Sequence, residues 1–230
     1  DMLAYLEAEN AYTATVMAPQ RAAQEKLYNE IIGRLKQDDS SVPQRKNGYW
    51  YYARYETGKQ SPIYARRQGS MEAAEEIIVD GNVSSTGHAF YQIANTEVSP
   101  DGRWVAIAED TVGRRQYSIR IKDMQSGQYL PTTITNVEAS LAWGNDNTTL
   151  FYIRKDAQTL LGNQVYRHQR GTTTETDRLV YTQEDESFYM GLGKSKSDRF
   201  IYIVSQSTVS SEYRYADAND PQFSFKVALP

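Results

Sequence analysis

The 230-residue sequence contains no cysteine and only two histidines. The lack of cysteine excludes disulfides and metal sites with thiolate ligands. It also mildly favours a reducing compartment, so we expect a cytoplasmic location. The sequence also lacks an apolar run approaching the ~20 residues of a membrane span, and its N-terminus shows no basic-then-apolar leader pattern. A membrane partner is therefore not expected.

The charge balance is close to even, with 25 Lys and Arg against 29 Asp and Glu and a formal net charge of −4. No run of like charges interrupts this mixture, so a nucleic-acid partner is not expected. Aromatic and basic residues do alternate in residues 51–55 (YYARY), as they can in a nucleic-acid platform. A strand face with solvated arginine tips is the favoured interpretation.

Aromatic residues are dominated by tyrosine, with 18 Tyr against 6 Phe and 3 Trp, which suits strands with one face near water. A block of aromatic and β-branched residues returns four times behind a polar turn, at intervals of roughly 46 to 55 residues, which is the spacing of propeller blades. The four copies are residues 47–52 (NGYWYY), 99–107 (SPDGRWVAI), 145–153 (NDNTTLFYI) and 197–203 (SDRFIYI).

Each repeat contains further strand candidates around its aromatic strand, and four antiparallel strands per repeat form a propeller blade. The turns fit this assignment, because Pro100 presets φ for a β-turn and Gly102 accepts a positive φ. The additional predicted strands are residues 62–66, 76–79, 90–93, 117–121, 128–130, 139–143, 164–168, 178–181, 188–192, 212–215 and 223–227.

The first segment has a helical period instead. Apolar residues recur at three- and four-residue steps within residues 1–17 and again within 27–35. Pro19 fits the start of the second helix, and the polar stretch 37–43 ends the pattern. The predicted fold is mainly β, a partial β-propeller of about four four-stranded blades in residues 44–230, preceded by an α-helical arm and linker in residues 1–43.

Two short motifs mimic catalytic loops and are rejected. Residues 193–197 (GKSKS) approach the Gly-x-Ser-x-Gly turn of serine hydrolases, but Ser197 replaces the last glycine and the segment lies between predicted strands. The same residues resemble the end of a phosphate-binding loop, which requires a glycine where Phe188 stands and a helix afterwards. A turn between strands is the predicted structure.

Metal and partner sites are also weakly supported. His88 and His168 lie 80 residues apart, and we expect both to be solvated residues of loops or strand ends. Residues 217–220 (DAND) lack the glycine and glutamate that a calcium loop requires, so a turn is expected. The pairs 66–67 and 114–115 (both Arg-Arg) could face an acidic partner, although solvated loops are favoured. No catalytic, cofactor-binding or metal-ligating residue is predicted, and no cofactor is expected.

The arm, the linker and the repeats together resemble the N-terminal part of the oligopeptidase B group of the prolyl oligopeptidase family of serine peptidases. The resemblance covers essentially all 230 residues. Its most specific parts are residues 5–12 (YLEAENAY), 27–31 (LYNEI), 48–54 (GYWYYAR) and 64–67 (YARR).

This resemblance implies a seven-bladed propeller joined to an α/β-hydrolase domain, in a cytosolic enzyme that cleaves short peptides after Arg or Lys. It implies that the propeller excludes folded proteins from the active site, and that the catalytic triad lies in the hydrolase domain. Residues 1–230 alone are then expected to be an inactive fragment with open blade edges that self-associates or is marginally stable. The alternative is a stand-alone propeller that serves as a protein-interaction scaffold.

Overall fold

The N-terminal helices form where the sequence shows its helical period. A computed structural model describes residues 1–228 and places helix α1 at Met2–Met17, a 3-10 turn at Ala18–Gln20 and helix α2 at Arg21–Gly33. The Asp1 side chain caps α1 by accepting a hydrogen bond from the Leu3 N–H. Neither helix contains a buried residue. Within residues 1–228, neither these nor any other helix has the length and apolarity that membrane crossing requires.

The rest of the described chain is built almost entirely from antiparallel strands. The exceptions are a short helix, α3 (Gly81–Ser84), and a 3-10 turn at Thr174–Thr176. The strands are β1 (Gln44–Lys46), β2 (Tyr49–Arg54), β3 (Ile63–Gln68), β4 (Glu75–Asp80), β5 (Gln92–Val98), β6 (Trp104–Asp110), β7 (Tyr117–Asp123), β8 (Tyr129–Trp143), β9 (Thr149–Lys155), β10 (Gly162–Gln169), β11 (Arg178–Thr182), β12 (Tyr189–Lys194), β13 (Phe200–Gln206), β14 (Ser211–Asp217) and β15 (Lys226–Val227).

Consecutive strands pair in order and form four blades, as predicted. Strands β1 to β4 form the first blade, and β12 to β15 form the fourth. The second and third blades are joined in one sheet, because β8 is both the last strand of the second blade and the first strand of the third. The long β8 changes partner at Val137, which pairs with both Tyr117 and Arg154, next to Asn136 in the left-handed region at φ 58°.

Three apolar cores lie between neighbouring blades, where the alternating side chains of adjacent sheets meet. The first two blades enclose Ile78, Val79, Ile93, Val105 and Ile107. The second and third blades enclose the largest core, which includes Trp104, Leu141, Trp143 and Tyr152, and the last two blades share Phe151, Ile153, Ile201 and Phe223. Each interblade core is therefore mainly apolar and is formed by residues far apart in the sequence.

Several predicted strand limits differ from the structure. Residues 128–130 and 139–143 belong to one continuous strand, because the connection between the blades stays extended. The strand predicted at 90–93 begins at Gln92, and the one predicted at 223–227 is reduced to Lys226–Val227, since Phe223 has φ 50° and packs against Phe151. Strand β1 was not predicted, because its three polar residues carry no apolar alternation.

Candidate functional site

The two faces of the blades can be distinguished by following the chain. The helical arm leads directly into β1, so the face where the innermost strands β1, β5 and β12 begin is the arm-side face. Because the strands of each blade are antiparallel, the same face carries every second loop. We define the arm-side face by residues 34–43, 55–62, 81–91, 111–116, 156–161, 183–188 and 207–210. The opposite, turn-side face carries residues 47–48, 69–74, 99–103, 124–128, 144–148, 170–177, 195–199 and 218–225.

Exposed apolar side chains are concentrated on the arm-side face. Val209 is 92% exposed, Tyr189 at the start of β12 is 72% exposed and Val83 is 70% exposed. Val42, Tyr55, Phe90 and Val112 on the same face are also exposed. In the turn-side loops of residues 1–228, the exposed large apolar side chain is Met71. An apolar surface shared by several loops on one face is typical of a contact with another protein surface.

The arm also carries exposed apolar residues. Leu3, Leu6 and Tyr12 of α1, and Leu27 and Ile31 of α2, are each at least half exposed. Those of α2 form an apolar stripe, whereas those of α1 lie on several sides of the helix, and no blade of the described chain covers either set. A helix with an uncovered apolar stripe gains most of its stability from a surface that it packs against.

The turn-side face serves a different purpose, because its turns hold neighbouring blades together. The Asn47 side chain donates to the Pro100 carbonyl at 3.4 Å. The Asn147 side-chain oxygen accepts from the Asp101 N–H at 2.8 Å. The Asn145 side chain donates to the Asp198 carbonyl at 3.1 Å. The repeated polar turns of the sequence therefore form a chain of hydrogen bonds from the first blade to the fourth.

Arg66 strengthens the junction between the first two blades. It lies in β3 and is 3% exposed, so the prediction of a solvated loop at Arg66 and Arg67 is wrong. Its Nη1 donates to the Gly102 carbonyl at 2.6 Å and its Nε donates to Glu76 at 2.9 Å. Its guanidinium also stacks 4.0 Å from the centre of the Tyr49 ring. Burial of this arginine is possible because each contact supplies negative charge or a π face.

Arg67 and Arg54 are likewise part of a polar network on the outer face of the first blade. The Arg54 guanidinium forms two hydrogen bonds with Glu75, at 3.0 and 2.9 Å, and Arg67 donates to the Tyr52 hydroxyl at 2.8 Å. Tyr52 in turn donates to Glu75 at 2.7 Å. The arginine of residues 51–55 was expected to have a solvated tip. Arg54 instead forms a half-buried ion pair with Glu75, which lies at the start of β4.

The innermost strands converge on a polar cavity of about 570 Å³ at their turn-side ends. Lys46, Glu97, Lys194 and Asp198 line this cavity and come from three different blades. Burial raises the pKa of Glu97, and the nearby Lys46 and Lys194 oppose that rise. Burial lowers the pKa of Lys194, whose ammonium group donates to the Asn145 side chain at 2.5 Å. Charged groups of both signs thus lie along the inner surface of the blades.

His168 does not occupy the solvated position that we expected. It is 1% exposed in β10, and its Nδ1 lies 2.7 Å from Asp177, whose other oxygen accepts from the Tyr152 hydroxyl at 2.8 Å. The prediction fails because His168 faces the core between the second and third blades, where Asp177 supplies a buried partner. Its buried Nε2 has no hydrogen-bond partner within the described residues. A His–Asp pair without a nucleophile on Nε2 cannot perform triad chemistry.

The remaining candidate positions have ordinary structural roles. Residues 193–197 cover the end of β12 and a turn into β13, where the Ser195 hydroxyl accepts from the Phe200 N–H at 3.0 Å. Residues 217–220 form the predicted turn, and residues 1–228 contain no group of three His, Asp or Glu side chains suited to a metal. His88 is exposed, as expected, and residues 114–115 lie in an exposed loop.

The sequence does not reveal the arm-side apolar surface. Val83, Val112 and Val209 are single apolar residues in polar loops, so they produce no periodic signal. They lie on the same face only because antiparallel pairing brings every second loop of the chain to that face. The predicted order of antiparallel strands could have identified this face, because alternate loops between such strands lie on the same side of a blade.

Consecutive four-stranded antiparallel blades, preceded by helices, define this chain as a β-propeller domain with an N-terminal helical arm. A sequence family described as "Prolyl oligopeptidase, N-terminal beta-propeller domain" matches residues 1–229. The chain belongs to the prolyl oligopeptidase family.

The relatives of this chain are peptidases. It is 49% identical to dipeptidyl aminopeptidase BI of Pseudoxanthomonas mexicana over its whole length, and 29% identical to protease 2 of Moraxella lacunata over 96% of its length. Oligopeptidase B from Leishmania major superposes with a TM-score of 0.92 and 28% identity over 99% of the chain. Oligopeptidase B from Trypanosoma brucei, with covalently bound antipain, superposes with a TM-score of 0.89 and 26% identity over 99% of the chain. The chain spans about a third of the length of these relatives.

Proposed function

We propose that this chain is the propeller part of a serine oligopeptidase and that its arm-side face contacts the catalytic α/β-hydrolase domain of the same enzyme. The uncovered apolar surface on that face carries the proposal. Val83 lies in the connection between the first two blades, and Tyr189 and Val209 lie at the arm-side end of the fourth blade, so one large partner surface could cover both places. The arm, residues 1–43, packs against the same partner through its exposed apolar residues.

The propeller limits access to the active site by size. Its innermost strands line a passage whose turn-side end carries Lys46, Glu97 and Lys194, and the blades around it are held by the turn-to-turn hydrogen bonds. A rigid ring with a narrow polar passage admits extended peptides and excludes folded domains. We place this function in residues 44–230, with the catalytic triad in the hydrolase domain.

The proposed substrates of the whole enzyme are short peptides, cleaved after Arg or Lys. The likeness to two oligopeptidase B structures over 99% of the chain supports this specificity. We also propose a cytoplasmic location, which agrees with the absence of cysteine from the chain.

A second activity is favoured by one specific observation. The relative with 49% identity is named a dipeptidyl aminopeptidase, which is an enzyme that releases dipeptides from a free N-terminus. Under this alternative the same propeller domain would serve an exopeptidase, and the free amino group of the substrate would be required for cleavage.

Two amide substrates distinguish these activities in the full-length protein. An N-terminally blocked arginyl amide tests cleavage after a basic residue, and an unblocked dipeptidyl amide tests dipeptide release. We expect hydrolysis of the blocked substrate and its loss with a serine-reactive inhibitor. Cleavage of only the unblocked substrate would favour the exopeptidase, and no hydrolysis of either would favour the stand-alone scaffold.

A further inference from the structure

A cavity between the third and fourth blades has no role in the proposed peptidase function. It measures about 630 Å³ and opens on the turn-side face, away from the arm. We propose that this cavity binds an oxyanion, either a phosphate group or a peptide carboxylate, between the guanidinium groups of Arg167 and Arg178.

The two arginines are held side by side by the backbone. Arg167 in β10 and Arg178 in β11 are direct partners in the antiparallel register, so their side chains emerge on the same face of the sheet. Both line the cavity. Like charges placed directly opposite each other on a sheet repel, and an anion bound between them would relieve that repulsion.

Neither guanidinium is neutralised by the protein. Within residues 1–228, no Asp or Glu oxygen lies within 4.0 Å of a nitrogen of either side chain, although twelve ion pairs form between other Lys or Arg and Asp or Glu side chains. Arg167 makes one long hydrogen bond, 3.3 Å from its Nη1 to the Gln222 carbonyl. Arg178 is exposed. Most of their donor groups are therefore free to bind a ligand.

The two carboxylates that line the cavity are engaged elsewhere. Asp146 accepts hydrogen bonds from the N–H groups of Thr148 and Thr149 and from the Thr149 hydroxyl. Asp220 accepts from the N–H groups of Gln222 and Ser224. These bonds shape the turns around the cavity and hold both carboxylates away from the arginines.

The chemistry of the donors specifies the ligand class. Two adjacent guanidinium groups offer parallel N–H donors that match the oxygen atoms of a carboxylate or a phosphate. The hydroxyls of Thr172 and Thr176 also line the cavity and add neutral donors. A cation or an apolar ligand would leave both charges unpaired.

Calorimetric titration of the full-length protein tests this site with two probes, inorganic phosphate and N-acetylglycine, whose carboxylate mimics a peptide C-terminus. We expect saturable binding of at least one probe, and the probe that binds more tightly identifies the source of the oxyanion. Arg178→Gln removes an exposed side chain that makes no hydrogen bond, so it should fold normally and weaken binding by about tenfold or more.

Lys196→Gln, which removes one charge from an exposed side chain in a different turn of the same face, is the control for net charge. It should bind the probes as the natural protein does. The proposal is overturned if neither probe binds saturably, if Arg178→Gln binds as tightly as the natural protein, or if the control variant loses as much affinity as Arg178→Gln.

Discussion

Replacing Arg66 by methionine tests whether the first two blades are joined by this buried side chain. Methionine retains much of the apolar stem and removes the guanidinium, so the substitution deletes the hydrogen bond to the Gly102 carbonyl, the ion pair with Glu76 and the contact with the Tyr49 ring. The charged hydrogen bond contributes about 2 kcal/mol and the ring contact about 1 kcal/mol. The ion pair adds little, because Glu76 is 39% exposed.

We therefore expect Arg66→Met to lower the local stability of the first blade by about 3 kcal/mol, which corresponds to roughly hundredfold faster hydrogen exchange under conditions where the opening equilibrium governs the exchange rate. Native-state hydrogen exchange of the full-length protein measures this at the amides of β2 and β3. Arg103→Met is the control, since its ion pair with Asp123 is half exposed on the same turn-side face, and a much smaller change is expected. An equal effect of the two variants, or unchanged exchange in β2 and β3, would refute the reasoning.

Three further predictions concern other contacts. Asn145→Ala should lower the stability of the fourth blade by about 2 kcal/mol in hydrogen exchange, because Lys194 and the Asp198 carbonyl lose a buried partner. The hydrogen bond from Arg103 lowers the pKa of Asp123 from 3.8 to about 2, so the stability that this ion pair contributes is lost as pH falls from about 4 to 2. In Asp123→Asn, the free energy of unfolding should therefore depend less on pH between about 4 and 2. Val209→Asp should reduce peptidase activity of the full-length protein without changing the exchange of blade amides.

The blade architecture could be predicted because each blade repeats one local pattern. Each aromatic and β-branched strand follows a turn, and the turn can be recognised by its polar and glycine residues. Examples are residues 99–103 and 144–148. The helical arm could also be predicted, although only α2 shows a marked apolar stripe, because the apolar residues of α1 lie on several sides of that helix. The continuity of β8 could not, because the sequence between its two halves has no signal that separates a bent strand from a loop.

The positions of individual polar residues were harder to predict. Arg66 and His168 are residue types that are usually exposed, and their burial depends on Gly102, Glu76 and Asp177, which lie 9 to 36 residues away. Such partners are brought together only by strand register. The cavity at Arg167 and Arg178 depends on the same register, since neither arginine has a sequence pattern that marks it.

Thiol labelling tests the central claim most directly, because the chain has no cysteine of its own. Val209→Cys places a thiol on the arm-side face, where the side chain is 92% exposed, and Ser126→Cys places one in an exposed turn of the opposite face. Both are introduced into the full-length protein, with any cysteines outside this chain replaced. If the arm-side face contacts the catalytic domain, Cys at 209 is labelled far more slowly than Cys at 126. Equal and rapid labelling at both positions would contradict the account.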